Sequence, residues 1–413
     1  MADLPNISID KDRLWSSLMQ MARVGATEKG GNCRLALTDL DKQGRDLFVS
    51  WCKQAGLRIN IDRMGNIFAR REGRDPSLPP IVTGSHLDTQ PTGGKFDGVY
   101  GVLAGLEVMR TLNDCGFETD APMEVAVWTN EEGSRFAPAM VASGVFAGVF
   151  TEEYAHARRD AEGKTIGDEL KRIGYLGDVP CGGRKLGAFF EAHIEQGPIL
   201  EAEKRTIGVV TGAQGSRWFD VAVNGQDSHA GTTPMARRRD ALLGAALMVE
   251  RVNRIALKHG PGGVGTVGVL RVVPGSRNTV PGVVNFTVDI RHPNADSLAS
   301  MTEDLHASAA AVAAQQNLEI AVKEIWHSKP ITFDVDCVEA VRRAAKSCGF
   351  DGLEIVSGAG HDACYVSRVA PTGMIFVPCE GGLSHNEIET ATPDDLAAGC
   401  NVLLRAMLSR ASA

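Results

Sequence analysis

No stretch of this 413-residue chain reaches the roughly 18 uninterrupted apolar residues that a membrane helix needs, which argues against an integral membrane protein. Positive charge is not in excess: 43 lysines and arginines face 51 aspartates and glutamates, giving a formal net charge of −8. Nucleic acid and anionic lipid are therefore disfavoured as partners, and an acidic substrate would have to be drawn by a few local cations. The opening residues, MADLPNISIDKDRL, carry acids where a secretory leader has a basic region, and no apolar core follows. Nine cysteines between Cys33 and Cys400 form no Cys-x-x-Cys pair, a usage that fits reduced residues in the cytoplasm better than a disulfide framework. Low-complexity tracts and internal repeats are also missing. These absences leave a soluble intracellular protein as the expectation.

The length exceeds that of one ordinary core, so two domains are expected. In the first part helical and strand patterns alternate. Leu14, Leu18 and Met21 mark a helical face; Asp41 to Ala55 reads as a helix ended by Gly56. Short β-like runs follow at Leu57 to Ile61 and Asn66 to Ala69. Strands are expected at Ile81 to Thr83 and Met123 to Thr129, around a helix from Gly98 to Leu112. This is an α/β layer with both sheet faces covered. From about Gly215 the rhythm becomes β-α-β-β-α-β: Trp218 to Val223, a helix from Arg237 to Lys258, strands at Val264 to Val273 and Val283 to Arg291, a helix from Ser297 to Gln316, and Leu318 to Trp326. That order is a ferredoxin-like α+β sandwich. The first rhythm then resumes, through an apolar strand at Met374 to Val377 and a last helix from Pro393 to Leu408. The fold class is thus α/β, a discontinuous catalytic domain with a helix-flanked mixed sheet (1–213 and 330–413) interrupted by an inserted α+β domain (214–329). A cleft between them is the natural ligand site.

Chemistry concentrates where apolar strands stop. Gly84 Ser85 His86 Leu87 Asp88 Thr89 follows one such strand, and in an extended backbone His86 and Asp88 share a side, so one can ligate a metal while the other fixes the imidazole. A glycine turn then delivers Asp97 to the start of a helix, where it could bridge two ions. The plain alternative is a chance His and Asp in an ordinary strand, loop and helix. At the next strand end, the adjacent acids Glu131 and Glu132 repel each other unless water or cations lie nearby. One could ligate while the other serves as general base. Glu191 Ala192 His193 Ile194 Glu195 Gln196 and Gly381 Gly382 Leu383 Ser384 His385 repeat the device. With ten histidines in the chain, three at strand-end glycine turns beside carboxylates make an improbable coincidence. Imidazole and carboxylate donors suit zinc, manganese, cobalt or nickel better than calcium or magnesium. In the inserted domain, His229 in Asp227 Ser228 His229 Ala230 Gly231 could donate to an oxyanion. Asn278 sits in a Pro- and Gly-bounded turn, and Arg291 at a strand end has the shape to clamp a carboxylate. Arg237, Arg238 and Arg239 read as a solvated face opening a helix.

The segments GSHLDTQPTGGKFDGVYGVLAGLEV, TNEEGSRF, EAHIEQGPILE, DSHAGTTPM, NTVPG, DIRH, SGAGHDA and LSHNEIE, in this order over almost the whole chain, resemble the amidohydrolase branch of the dinuclear-metal aminoacylase and carboxypeptidase superfamily. Within it the resemblance is to N-carbamoyl-L-amino acid hydrolases and bacterial β-ureidopropionases, with allantoate amidohydrolase a near relative and aminoacylases or dipeptidases more remote. The resemblance implies His86, Asp97, Glu132, His193 and His385 as ligands of two divalent ions, zinc foremost, with Asp97 bridging. It implies Glu131 as general base and Asp88 as support for His86. Gln196, His229, Asn278, Arg291 and Gly360 fall on substrate-side positions. A small carboxylate substrate and a homodimer through the inserted domain, which also serves as lid, complete the expectation.

Overall fold

The computed structural model describes residues 7–412; the first six residues of the acidic N-terminal stretch lie outside the described residues, as does residue 413. The chain divides into two compact units, one running through Thr211 and resuming at Phe333, the other spanning Gly212–Thr332.

The first unit is organised by a mixed sheet. Its strands run in the spatial order Arg58–Ile61, Ile67–Arg71, Met123–Trp128, Ile81–His86, Ala188–Ile194, Thr372–Val377 and Gly208–Ala213, with Leu353–Ser357 also pairing Gly208–Ala213. The four central strands, Met123–Trp128, Ile81–His86, Ala188–Ile194 and Thr372–Val377, are parallel; their neighbours are antiparallel. Every residue of those four strands is buried, which is why they read as continuous apolar runs rather than alternating ones. The helices Val99–Asp114 and Pro393–Ala411 pack on the sheet and on each other. Thr392 caps the second by accepting from the Asp395 amide, with Pro393 at its first position. Trp128 meets Phe68, Phe146 and Phe189 in edge-on contacts on a strand surface, so truncating Trp128 to alanine would cost about 3–5 kcal/mol.

The second unit contains an antiparallel sheet ordered Leu270–Val273, Val283–His292, Gly215–Asn224 and Glu319–Ser328, with Val264–Thr266 also on Val283–His292. Alternate residues Phe219, Val221 and Val223, and Val284, Phe286, Val288 and Ile290, point to one face and pack beneath the helices Ala241–Lys258 and Ala295–Gln316 through Met248, Val252, Leu298, Met301 and Leu305. The arrangement is ferredoxin-like.

Two expectations need correction here. The run Val264 to Val273 is not one strand: Thr266 pairs with Asp289 but Leu270 with Phe286, a slip of one residue that bulges the chain at Gly268 and its neighbours. The helix expected from Arg237 begins at Ala241, because Asp240 accepts from the Leu242 and Leu243 amides and caps it. Of the preceding arginines only Arg237 is fully on the solvated surface, in a short 3-10 turn; Arg238 donates to the carbonyls of Ala230 and Thr233, and Arg239 to that of Asn317.

Candidate metal centre

The parallel strands deliver their chemistry at their carboxyl ends, where ligands of open α/β sheets bind. His86 ends Ile81–His86, Glu131 and Glu132 follow Met123–Trp128, His193 is the penultimate residue of Ala188–Ile194, and His385 follows Thr372–Val377. Asp97 comes from the loop before Val99–Asp114. Gly98 behind it has φ +68°, and a Cβ there would stand 2.3 Å from the His86 ring, so only glycine fits between the two. Asn130, Gln196 and His385 also hold left-handed backbone, φ 53° to 58°, although none is glycine. Such conformations cost roughly 1 kcal/mol or more each and gather at functional sites.

Asp97 stands at the middle. Its Oδ1 lies 3.2 Å from His193 Nε2 and 3.6 Å from His86 Nε2; its Oδ2 lies 3.3 Å from His385 Nε2. His385 Nε2 is also 3.3 Å from Glu132 Oε2. Two donor triads result, His86, Asp97 and His193 on one side and Asp97, Glu132 and His385 on the other, each with ligand atoms within 4.8 Å of one another. Asp97 belongs to both.

The hydrogen bonds behind the imidazoles set their tautomers. His86 Nδ1 donates to the Asp88 carbonyl and His193 Nδ1 to the Ile194 carbonyl, both at 2.8 Å. A carbonyl only accepts, so the proton sits on Nδ1 in the neutral ring and the Nε2 lone pair faces Asp97. A lone pair facing a carboxylate is repulsive unless a cation lies between or the imidazole is protonated; at His193 the Gly98 N–H, which donates to Nε2 at 3.2 Å, offsets part of that repulsion. The electrostatics agree: burial alone would raise the Asp97 carboxyl, but the imidazoles of His193, His385 and His86 outweigh it and hold it well below the usual range. Burial pushes Glu131 well above its ordinary range against the pull of His86, with Asp362 and Glu132 adding repulsion. Glu132 is pushed up to about 7 by burial and by Asp97. The pocket is short of positive charge, and the donors fit a pair of divalent ions.

Glu131 Oε2 lies 3.4 Å from His86 Nε2, while the Glu131 carbonyl accepts from the Met140 amide at 2.7 Å. Asp88 acts differently from the expectation. Its carbonyl, not its carboxylate, holds His86; the carboxylate accepts from the Glu131 and Glu132 amides, both at 3.3 Å, because His86 is the last residue of its strand and the extended geometry ends there. Asp88 thus ties the two acidic residues to the His86 loop. Gln196 Nε2 donates to Asp97 Oδ2 at 2.9 Å. Gly360 abuts Met140, whose Cε would lie 2.9 Å from an added Cβ.

His229, Asn278 and Arg291 belong to the second unit. His229 pairs with Thr279, and the Ala230 amide donates to the Asn278 carbonyl, so His229 and Asn278 share one short ribbon. His229 Nδ1 accepts from the Gly231 and Thr232 amides at 3.0 and 3.2 Å, which leaves its proton on Nε2. The Arg291 guanidinium lies 2.7 Å from Asp289 Oδ2.

Sequence reasoning passed over Gln90, which donates to Glu132 Oε2 at 2.6 Å, and Ser384, whose hydroxyl lies 2.9 Å from Asp97 Oδ2. Each sits one or two residues from a residue already singled out, the only signal available. A third cluster, Glu191, His193 and His361, is closed by other partners: Ser85 and the Ala363 amide occupy Glu191, and Ser357 meets His361.

Residues 82–409 match the family described as Peptidase family M20/M25/M40. An N-carbamoyl-L-amino-acid amidohydrolase of Rhizobium meliloti is 53% identical over 98% of each chain. A ureidoglycolate hydrolase of Oryza sativa subsp. japonica is 35% identical over 97% of this chain and 84% of its own. The crystal structure of a hydantoinase/carbamoylase family amidase from Burkholderia multivorans, 63% identical, superposes with a TM-score of 0.97 and covers 99% of this chain and 100% of its own.

Proposed function

The chain belongs to the M20/M25/M40 peptidase family and is an amidohydrolase, and on that premise we propose that it cleaves the carbamoyl C–N bond of N-carbamoyl-L-amino acids or N-carbamoyl-β-alanine. The products are the free amino acid, carbon dioxide and ammonia. The observation that carries the reading is the shared carboxylate of Asp97 between two imidazole-rich triads, with Glu131 alongside.

His86, Asp97 and His193 would hold one divalent ion, and Asp97, Glu132 and His385 the second. When bound, such a pair supplies a Lewis acid for the ureido carbonyl and acidifies the attacking water. Glu131 takes a proton from that water and returns it to the leaving amine nitrogen. The carbamic acid released then breaks down to carbon dioxide and ammonia. His229, with its proton fixed on Nε2, donates to the carbonyl oxygen as negative charge develops. Arg291, with Asn278 and Gln196, holds the substrate carboxylate. Gly360 lies on the substrate side beside Met140, and Asp88 keeps Glu131 and Glu132 in register with His86. Zinc foremost, or manganese, cobalt or nickel, suits these donors. A homodimer formed through Gly212–Thr332, with that unit acting as lid over the catalytic unit, and a cytoplasmic location belong to the same proposal.

A second reading is hydrolysis of allantoate, from the resemblance of the sequence segments, or of ureidoglycolate, from the rice relative. Ammonia release from metal-reconstituted protein, measured with N-carbamoyl-α-amino acids, N-carbamoyl-β-alanine, allantoate and ureidoglycolate side by side, tests both. Turnover of the last two alone would overturn the first reading.

A further inference from the structure

Glu389 is buried, 1% exposed, in the loop that follows His385. Its Oε1 accepts the backbone N–H of Phe96 at 2.9 Å and that of Asp97 at 3.1 Å. Its Oε2 lies 2.9 Å from the Ser384 hydroxyl, which lies the same distance from Asp97 Oδ2. One side chain therefore holds Asp97 directly through the main chain and adjoins its carboxylate through Ser384, whose single hydroxyl proton serves one of the two carboxylates at a time. The opposing turn leaves room for it: a Cβ on Gly94 would fall 2.1 Å from Glu389 Cδ and Oε1 and 2.5 Å from Glu389 Cβ, too close to relieve by rotating the far end of the side chain.

We infer that Glu389 is a positioning residue for the shared carboxylate, fixing Asp97 so that its two oxygens face the two triads at once. The Asp97 carbonyl is held by the Val99 N–H at 2.7 Å and the Phe96 carbonyl by the Tyr100 N–H at 2.9 Å, so Glu389 secures the amide side of the same loop; a shift of about an ångström at Asp97 disturbs both sets of donors together. Side chains that orient ligands in this way are typically worth 10- to 100-fold in metal affinity. The inference rests on the dinuclear reading of the site. It adds a requirement that the ligands alone do not state: the segment supplying His385 must also lock the ligand contributed by a loop almost 300 residues earlier.

The test is Mn2+ binding by calorimetry to chelator-stripped full-length protein, with thermal melting of the stripped protein recorded in parallel. Glu389→Ala is expected to weaken Mn2+ binding roughly 10- to 100-fold. Gly94→Ala, which displaces Glu389 without removing it, should produce a loss of the same kind. Glu389→Gln should stay within a few-fold of the unchanged protein, since its amide oxygen still accepts from Phe96 and Asp97 and its nitrogen donates to Ser384. A purely structural role would lower the melting temperature of the stripped protein without this split between Gln and Ala. Unchanged Mn2+ affinity in Glu389→Ala, or a Gln variant as weak as the Ala variant, overturns the inference. Should Glu389→Ala fail to fold, Gly94→Ala and Ser384→Ala decide, and wild-type affinity in both overturns it. An unmutated protein that binds no Mn2+ overturns the dinuclear reading itself, a separate and recognisable result.

Discussion

Glu131 Oε2 and His86 Nε2 stand 3.4 Å apart, so the proposed base borders a proposed ligand without being one of the triad donors. That separation of roles makes a sharp expectation. Glu131→Gln should retain two ions per chain by elemental analysis and lose roughly 10²- to 10⁴-fold in kcat for ammonia release. Near-normal turnover in a fully loaded variant would remove Glu131 from proton transfer.

Arg291 is expected to act on binding rather than on chemistry. Replacing it by alanine removes a charged donor and leaves the Asp289 carboxylate, now 2.7 Å from the guanidinium, as an uncompensated anion. The KM for N-carbamoyl amino acids should rise roughly 10- to 100-fold with metal content intact. An unchanged KM would show that the substrate carboxylate is held elsewhere.

Acid should strip the metal. Hydrogen bonding to Asp97 raises His385 above its ordinary value with Glu132 reinforcing it, and in His193 burial opposes the shift but Asp97 and Glu191 prevail. A protonated imidazole cannot ligate, so protons compete with the ions more strongly than at free histidine. Apparent affinity is therefore expected to fall as pH drops through the raised histidine range and to recover on return to alkaline pH. Equilibrium dialysis against Mn2+ at pH 6 and pH 8 measures this. Equal occupancy under limiting metal at both values would contradict it.

Gly98→Ala probes the close approach behind Asp97. At φ 68° and ψ −49° Gly98 is the centre of a γ-turn closed by the Val99 N–H on the Asp97 carbonyl, a conformation strained for alanine before any clash, and the His86 ring 2.3 Å away adds to it. Lower thermal stability together with weaker metal binding is expected from melting curves with and without Mn2+. A variant that matches the wild type on both counts would mean that this contact is easily relaxed.

Much of this was legible in the sequence because buried parallel strands announce themselves as apolar runs, and the residues that close them, His86, Glu131, Glu132 and His385, are conspicuous against such runs. Boundaries were harder. A cap such as Asp240, adjacent to three arginines that would also suit a helix, decides the start of a helix by local hydrogen bonds that periodicity does not register. The slip at Gly268 likewise depends on pairing with Val283–His292. For Asp88 the side-by-side geometry of an extended strand was assumed one residue too far. Glu389 was beyond reach for another reason: its partners Phe96 and Asp97 are distant in sequence, and a glutamate in a polar loop looks solvated until the fold buries it.

Thr372–Val377 lies between Ala188–Ile194 and Gly208–Ala213, two strands synthesised long before it. A nascent chain halted in the second unit would therefore leave Ala188–Ile194 as a bare apolar edge and Gly208–Ala213 without its sheet partners, a surface prone to capture by other chains. His385 follows Thr372–Val377 in the chain, so the donor set of the catalytic unit is complete only once the last part has been translated.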